Sequence, residues 1–262
     1  MAIAKADFIE GMAKGMAVLE SFSTERQRLN ATLAAERAGL TRASARRHLL
    51  TLAHLGYLET DGSHYWLASK VLRFSGSYLA SARLPKIMQP TLDRLAIHTG
   101  ESFSGVVLDG DEVVIVARSG IDRAGLGSRE NTRLVAYGLH LGARLPAHAT
   151  STGRVLLAAQ PKADFAEWIK SRHLARITPL TITDRAAFKK LIVQIRKADH
   201  CLASEEHELG VQALAVPLRN AQGLAVAALN VVVFRQRLSA QDLLRDLLPQ
   251  MRDAVQELRR LV

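Results

Sequence analysis

The fold of the N-terminal third is decided by residues 39–67, which read GLTRASARRHLLTLAHLGYLETDGSHYWL. Thr41 is a suitable N-cap for a helix over Arg42 to His54, and the polar turn Asp61-Gly62-Ser63 joins two short β-prone runs. Apolar residues recur at positions i, i+4 and i+7 of this helix: Ala45, Leu49 and Leu52. The stretch therefore predicts a helix that packs by one apolar stripe and is followed by a hairpin.

Two further helices are predicted before this stretch. Apolar residues at helical spacing predict the first over Phe8 to Phe22. Asn30 is the expected N-cap of a second, short helix, which Gly39 ends. The order of helix, short helix, glycine turn, basic helix and hairpin is that of a winged helix-turn-helix, whose second helix lies in the major groove of DNA.

The charge of the basic helix favours a contact with DNA. No acidic residue occurs between Arg37 and Leu58, a window that holds four arginines and two histidines. Guanidinium groups in such a helix bind guanine edges or phosphates. The candidate DNA-contacting residues are Thr41, Arg42, Ala43, Ser44, Arg46, Arg47 and His48. The alternative is a solvated basic helix in a small α-bundle.

The composition of the whole chain excludes several classes of protein. Of its 262 residues 48% are hydrophobic and 23% charged, which is too apolar for a disordered chain. The longest apolar stretch, Leu224 to Phe234, is about half of what spans a bilayer. The N-terminus does not have the pattern of a secretory signal, and the single cysteine, Cys201, excludes an internal disulfide and a cysteine-only zinc site. We therefore expect a cytoplasmic protein with no membrane partner.

The net charge by itself does not locate a binding site. A formal charge of +10 suits a polyanionic partner, but residues 1–85 carry a net +4 and the remainder a net +6. The surplus is thus spread over both halves of the chain, and only the acid-free window points to DNA.

The rest of the chain divides into a connecting helix and a second domain. Apolar stripes predict a linker helix over 69–84, interrupted at Leu84-Pro85, and a bend or turn at Pro90. Such a helix either forms a dimer contact or packs on its own domain. Residues 85–262 alternate strands, hairpins and helices and predict an antiparallel sheet with helices packed on it. The predicted fold class is α+β, with domains over 1–68, 69–84 and 85–262.

A site for a carboxylate is expected at the start of one helix in the second domain. The turn Thr150-Ser151-Thr152-Gly153 precedes a predicted helix, whose N-terminus offers free N–H groups, hydroxyls and a positive dipole end. Gly153 would allow close backbone approach. The alternative for Ser151 and Thr152 is ordinary helix capping.

Three arginines are candidates to neutralise the acid: Arg118, Arg144 and Arg154. A buried charge needs a partner, so Arg154 is better suited to a structural ion pair with Glu205 or Glu206.

Catalytic and metal-binding interpretations have less support. Cys201, Glu206 and His207 contain a nucleophile and a base, but their spacing does not define a triad, and a thiol at the start of a strand is usually inert. His148 and His200 could join them around a metal, without any HxxxH or CxxC spacing. No dinucleotide or phosphate-loop motif is present. We expect no enzymatic activity, no cofactor and no metal.

Three stretches resemble a known family. They are GLTRASARRHLLTL running into LGYL (39–58), PAHATSTGRVLLA (146–158), and EEHELG through AVP to AALNV (205–231). In this order and spacing they are similar to the IclR-type transcriptional regulators over nearly the whole chain. The first two look most like the regulators of protocatechuate and 4-hydroxybenzoate catabolism.

The resemblance implies a winged helix-turn-helix, a linker helix used in dimerisation and a GAF-like effector domain. It implies dimers or dimers of dimers on palindromic operator DNA, and a small organic acid, often aromatic, as effector. Matching the family's pattern places Thr150 to Gly153 at the pocket, together with Ala203, Ala213, Asn230 and Val232. Some members have Asp, Cys and Ser where this chain has Ala203, Ala213 and Val232, which predicts a roomier and less polar pocket.

The function predicted from the sequence is a DNA-binding transcriptional regulator modulated by a small, aromatic organic acid. Some family members bind zinc, which we do not expect here. The loop Gly120 to Thr132 is longer than expected and is a candidate lid for the pocket. The alternative is a metabolic enzyme or small-molecule-binding protein whose basic N-terminal domain does not bind DNA.

Overall fold

The computed structural model describes residues 3–23, 26–119 and 139–262. The chain forms two compact units, Met1–Ser81 and Ala82–Val262. The predicted loop from Gly120 to Thr132 lies outside the described residues. Within the described ranges, every helix is too short or too polar to pass through a bilayer.

The described part of the first unit contains a 3-10 turn at Lys5–Asp7, four α-helices and one hairpin. Its elements are α1 (Glu10–Glu20), α2 (Ala31–Ala38), α3 (Arg42–His54), β1 (Leu58–Thr60), β2 (Tyr65–Leu67), a 3-10 turn (Ser69–Val71) and α4 (Leu72–Ser81). The helix predicted over Phe8 to Phe22 is α1, shorter by two residues at each end. The order helix, helix, helix, hairpin is the one predicted.

Local side-chain contacts begin and end these helices where the sequence predicted. The Asn30 side chain accepts the N–H groups of Thr32 and Leu33, both at 3.0 Å, and caps α2. Gly39 ends α2 at φ +63°, a left-handed conformation that costs glycine little. Thr41 accepts the Ser44 N–H at 3.2 Å and caps α3. The predicted stripe of α3 is buried in one core: Ala45, Leu49 and Leu52 with Val18, Leu29, Leu58 and Tyr65.

The second unit is built around one antiparallel sheet of six strands in the order β5-β4-β3-β8-β7-β6. The strands are β3 (Ser102–Asp109), β4 (Glu112–Arg118), β5 (Arg144–Pro146), β6 (Cys201–Ser204), β7 (Val211–Arg219) and β8 (Ala225–Phe234). The helices are α5 (Arg83–Thr99), α6 (Ser151–Ala159), α7 (Lys162–Ser171), α8 (Arg185–Ala198) and, after a turn at Ala240–Asp242 and a π-helical segment at Leu243–Leu247, α9 (Leu248–Leu258).

Two apolar cores cover the two faces of this sheet. On one face α5 and the C-terminal helix bury Met88, Leu92 and Met251. On the other face α6, α7 and α8 bury a second core that contains Leu157 and Phe188. The predicted antiparallel sheet with helices packed on it is confirmed.

The linker predicted over 69–84 is not one continuous helix. The helix does not run to Leu84, because Ala82 is extended and separates α4 from α5. Pro85 does not interrupt a helix but lies in the first turn of α5, where an N–H group has no intrahelical acceptor to lose. Pro90 also lies inside α5 instead of marking a turn.

Candidate functional site

A cavity in the second unit lies between the N-terminal end of α6 and the sheet. Residues of α6, of the sheet and of the segment 205–208 line it. Its floor comes from neighbouring strands, which place Ser104 opposite Asn230 and Val232 opposite Ala213, with Ala213 in turn opposite Ala203. Most of the floor is apolar, since Val106 and Ile115 also line it.

The first turn of α6 supplies the polar wall of the cavity. Thr150 caps the helix by accepting the Gly153 N–H at 3.2 Å and donates its own hydroxyl to the Pro146 carbonyl at 3.1 Å. Ser151 and Thr152 are almost fully buried and line the cavity. Capping is therefore done by Thr150, which leaves the side chains of Ser151 and Thr152 to face the cavity.

Two buried polar atoms that belong to cavity-lining residues lack a hydrogen-bond partner within the described part of the chain. They are the Ser151 hydroxyl oxygen and the Asn230 Oδ1 atom. A buried polar group without a partner costs about 1–3 kcal/mol, so such groups are rare unless water or a ligand satisfies them. The pair marks the part of the cavity suited to a polar ligand.

Gly153 has a different role from the one predicted. A Cβ atom at this position would lie 2.2 Å from the Ala147 carbonyl oxygen and 2.3 Å from the Ala147 Cα. The close approach that glycine permits is thus to the 3-10 turn Ala147–Ala149, and Gly153 does not line the cavity. The other seven predicted pocket residues line it: Thr150, Ser151, Thr152, Ala203, Ala213, Asn230 and Val232.

Another wall of the cavity is the segment 205–208, which follows β6. Arg154 is 1% exposed and forms a two-pronged ion pair with Glu206, while its Nε donates to the His148 carbonyl at 2.7 Å. The Thr178 and Thr181 hydroxyls donate to the carbonyls of Glu205 and Glu206 at 2.7 and 2.6 Å. Arg154 was expected to pair with Glu205 or Glu206, and it pairs with Glu206. This ion pair holds the segment 205–208 in place.

No lysine or arginine is among the described residues that line the cavity. Arg144, a candidate to neutralise an acid, forms ion pairs with Asp109 and Glu112 at the surface. Arg118 and Arg154 are also absent from the lining. An anionic ligand would therefore depend on the N–H groups and hydroxyls at the start of α6.

His207 and Glu208 also line the cavity, although neither was predicted to belong to it. Burial, and then the nearby His148, lower the pKa of His207. Burial raises the pKa of Glu208. The burial that shifts both pKa values favours the uncharged forms, which lowers the charge of this wall. Both residues lie in an irregular segment between two strands, where the sequence has no periodic pattern from which their position could be predicted.

The structure gives no support to nucleophilic chemistry at Cys201. The thiol is buried at the start of β6, and burial raises its pKa to about 12. Since the thiolate is the reactive form, the thiol is inert near neutral pH. Within the ranges that the structure describes, no three His, Cys, Asp or Glu side chains are arranged to hold a metal ion.

The predicted DNA-contacting residues lie on the outer side of α3. Thr41, Arg42, Ala43, Arg46 and Arg47 are exposed, whereas Ser44 and His48 are half-buried. A shallow cleft separates this side of α3 from α1 and is lined by Ser44, Arg47, His48 and Thr51 with Glu10, Gly11 and Lys14. The basic face is thus open to a large partner.

Comparisons with known proteins agree with both units. Residues 11–62 match the family described as "IclR helix-turn-helix domain", and residues 76–260 match "Bacterial transcriptional regulator IclR C-terminal". The chain is 51% identical over 256 residues to the p-hydroxybenzoate hydroxylase transcriptional activator of Acinetobacter baylyi, covering 98% of this chain and 93% of the relative.

Two solved structures are similar and contain aromatic acids. One is a double mutant of the PobR inducer-binding domain from Acinetobacter in complex with 3-hydroxybenzoic acid (47% identity, TM-score 0.62, 69% of this chain and 100% of that chain). The other is an IclR homologue from Microbacterium hydrocarbonoxydans in complex with 4-hydroxybenzoate (26% identity, TM-score 0.68, 95% and 98%).

Proposed function

The chain belongs to the IclR family of bacterial transcriptional regulators, and from this premise we propose that a hydroxybenzoate-like acid binds the cavity beside α6 as its effector. The protein is a DNA-binding regulator of transcription and not an enzyme, which removes the alternative of a metabolic enzyme. One observation carries the proposal of the effector site: the unpartnered Ser151 hydroxyl and Asn230 Oδ1 belong to the same cavity.

The two unpartnered atoms suit the two polar ends of such an acid. The carboxylate would accept hydrogen bonds from the Ser151 hydroxyl and from the first-turn N–H groups of α6, which have no intrahelical acceptor. The phenolic hydroxyl would donate to Asn230 Oδ1. The ring would lie on the apolar floor, where Ala203 and Ala213 leave more room than larger polar residues and Val232 adds apolar surface.

For DNA, we propose that α3 enters the major groove. The residues that would contact bases or phosphates are Thr41, Arg42, Ala43, Ser44, Arg46, Arg47 and His48, most of them exposed on one side of the helix. Arg47→Ala should weaken binding by about 1–3 kcal/mol at one base position if Arg47 reads a base. A loss that is equal on all sequences would assign Arg47 to a phosphate instead.

We also propose that the protein is a homodimer, or a dimer of dimers, in the cytoplasm. Large apolar side chains are exposed at Ile9, just before α1, at Met12 and Met16 on α1, and at Leu72, Phe74 and Tyr78 on α4. Exposed apolar side chains in such number are typical of protein interfaces. Sedimentation of the Met12→Lys and Phe74→Lys variants tests the dimer. The proposed domain division is residues 1–68 for DNA binding, 69–84 as the linker and 85–262 for effector binding.

Thermal-shift measurements test the effector site. 3-Hydroxybenzoate and 4-hydroxybenzoate should stabilise the protein, by about 2.7 kcal/mol at 100 times the dissociation constant, whereas the amide of benzoic acid should not. Ser151→Ala should reduce the shift for every acid. Asn230→Leu should reduce it for the hydroxylated acids and spare benzoate.

A matched control is Ser171→Ala, since Ser171 is exposed at the end of α7. Retention of the full shift by the Ser151→Ala, Asn230→Leu double variant would disprove the site. Hydroxybenzoates that bind elsewhere would give this result.

A further inference from the structure

A single β-bridge from Leu29 to the hairpin β1–β2 brings one arginine onto the hairpin. Leu29 pairs with Tyr65 through two backbone hydrogen bonds, N–H to carbonyl in each direction, at 3.0 and 2.8 Å. Side chains alternate between the faces of a strand. Leu29 and Tyr65 are buried in the core, so their neighbours Arg28 and Trp66 lie together on the outer face.

A row of three side chains crosses this outer face. Glu59 is opposite Trp66 in the strand register and accepts the indole N–H at 2.9 Å, which fixes the ring. The Arg28 guanidinium lies over the ring, 4.2 Å from its centroid. Stacking holds the guanidinium in one orientation, so less conformational freedom is lost when it binds an anion.

The donors of Arg28 are largely open to solvent. The side chain is 59% exposed, and the ion pair that it forms, with Asp61 at the hairpin tip, is long at 3.5 Å. No hydrogen bond reaches its guanidinium from the described residues. A planar fork of this kind matches the geometry of a phosphate.

The carboxylate of Asp61 is not a close hydrogen-bond partner of this arginine, because the turn engages its oxygens. Asp61 accepts the backbone N–H groups of Ser63 and His64 at 2.9 and 2.7 Å, together with the Ser63 hydroxyl. These bonds lower the pKa of Asp61 to about 2. The Asp61 carboxylate therefore stabilises the turn, and the guanidinium N–H groups of Arg28 are available to another partner.

We propose that Arg28, held on Trp66, binds a DNA backbone phosphate next to the major-groove site of α3. The hairpin follows α3 directly, since α3 ends at His54 and β1 begins at Leu58, so the hairpin flanks the DNA that α3 contacts. The contact is electrostatic and independent of sequence, and it positions α3 on its site. The inference rests on the proposed binding of α3 to DNA.

The test uses the full chain and two labelled duplexes of equal length. One is a sequence that the wild-type protein selects from a random pool, and the other is a scrambled version of it. Fluorescence anisotropy between 50 and 200 mM salt gives the affinity and its salt dependence for the wild type, Arg28→Ala, Arg28→Lys and Trp66→Leu. Arg26→Ala is the matched control, since Arg26 is an exposed arginine two residues away.

Arg28→Ala should weaken binding to both duplexes by the same factor, roughly three- to tenfold at 100 mM salt, and make the negative slope of log K against log[salt] shallower by about one per protomer. Arg28→Lys should keep the salt dependence and lose part of the affinity, because lysine retains the positive charge but lacks the planar guanidinium group. Trp66→Leu should do the same, since only the stacking is lost. Arg26→Ala should behave as wild type.

Different results separate the failure of this inference from the failure of the proposed function. An unchanged slope for Arg28→Ala, with or without a lower unfolding temperature, would leave Arg28 only a structural role and overturn the inference. A loss confined to the selected duplex would show base reading and overturn it as well. A wild-type protein that selects no sequence would instead refute the proposed role of α3.

Discussion

The substitution Glu206→Gln tests whether the buried ion pair fixes the wall of the effector cavity. It keeps the size of the side chain and removes the charge that faces Arg154. Arg154 is 1% exposed, and its other bond, from Nε to the His148 carbonyl, does not neutralise its charge. The guanidinium would thus remain buried without a counter-ion.

The expected loss follows from this burial. Removal of one partner of a buried pair costs about 3–5 kcal/mol, and the amide oxygen of glutamine can still accept one N–H of Arg154 or the Ile182 N–H. We therefore expect a loss of about 3 kcal/mol in the free energy of unfolding of the second unit. For a unit of this size, that lowers its melting temperature by about 6–12 °C.

The two tryptophans allow the second unit to be followed alone. Trp66 lies in the first unit and Trp168 in the second, so a Trp66→Phe background makes fluorescence report on Trp168. Urea unfolding then gives the free energy for the second unit. The control is Arg235→Ala, which removes the partner of Glu205 in a pair whose arginine is 63% exposed, and should cost less than about 1 kcal/mol.

The double variant Arg154→Met, Glu206→Leu separates charge from packing. If the cost of Glu206→Gln comes from an unpaired buried charge, removal of both charges should recover part of the stability. A loss for Glu206→Gln no larger than that for Arg235→Ala would refute the reasoning. So would a double variant less stable than the sum of its single changes.

Three further outcomes are expected. Gly153→Ala should lower the melting temperature of the second unit despite the higher helix propensity of alanine, because its Cβ would clash with the Ala147 backbone; equal or higher stability by urea unfolding would contradict this. Cys201 should react with a thiol reagent at pH 8 only after urea unfolds the protein, since burial raises its pKa to about 12; fast labelling of the native protein would argue against burial. The stability of the second unit should fall as pH drops below 6.5, because the lowered pKa of His207 means that the unfolded chain binds more protons there; His207→Gln should flatten that dependence, and an unchanged pH profile would exclude His207 as its source.

The sequence was informative wherever a local rule decides the structure. Asn30 and Thr41 cap helices because their side-chain oxygens reach N–H groups two or three residues away, and Gly39 ends α2 because few residues adopt its left-handed conformation. The hairpin at Asp61-Gly62 also follows from a local turn.

Features that depend on contacts between distant segments could not be predicted in the same way. Gly153 is required by the path of the turn before α6, and His207 lines the cavity because Arg154 holds the segment beside it. The break at Ala82 was misplaced because Pro85 was taken as a helix breaker, whereas a first helical turn accepts proline. Four of the pocket residues, Ala203, Ala213, Asn230 and Val232, were predicted from family resemblance alone and not from periodicity or helix-terminus chemistry.

The charges around the cavity favour one orientation for an acidic effector. The described lining has no lysine or arginine, and its acidic residues, Glu205, Glu206 and Glu208, all belong to one segment. A carboxylate is attracted by the start of α6, where N–H groups point outward and the Ser151 hydroxyl has no partner among the described residues. Electrostatic attraction therefore orients the carboxylate of the proposed effector toward α6. Asn230, on the sheet, is then the residue that distinguishes between positions of the ring hydroxyl. Substitutions at Ser151 should then lower affinity for all acids alike, whereas substitutions at Asn230 should change which hydroxybenzoate is preferred.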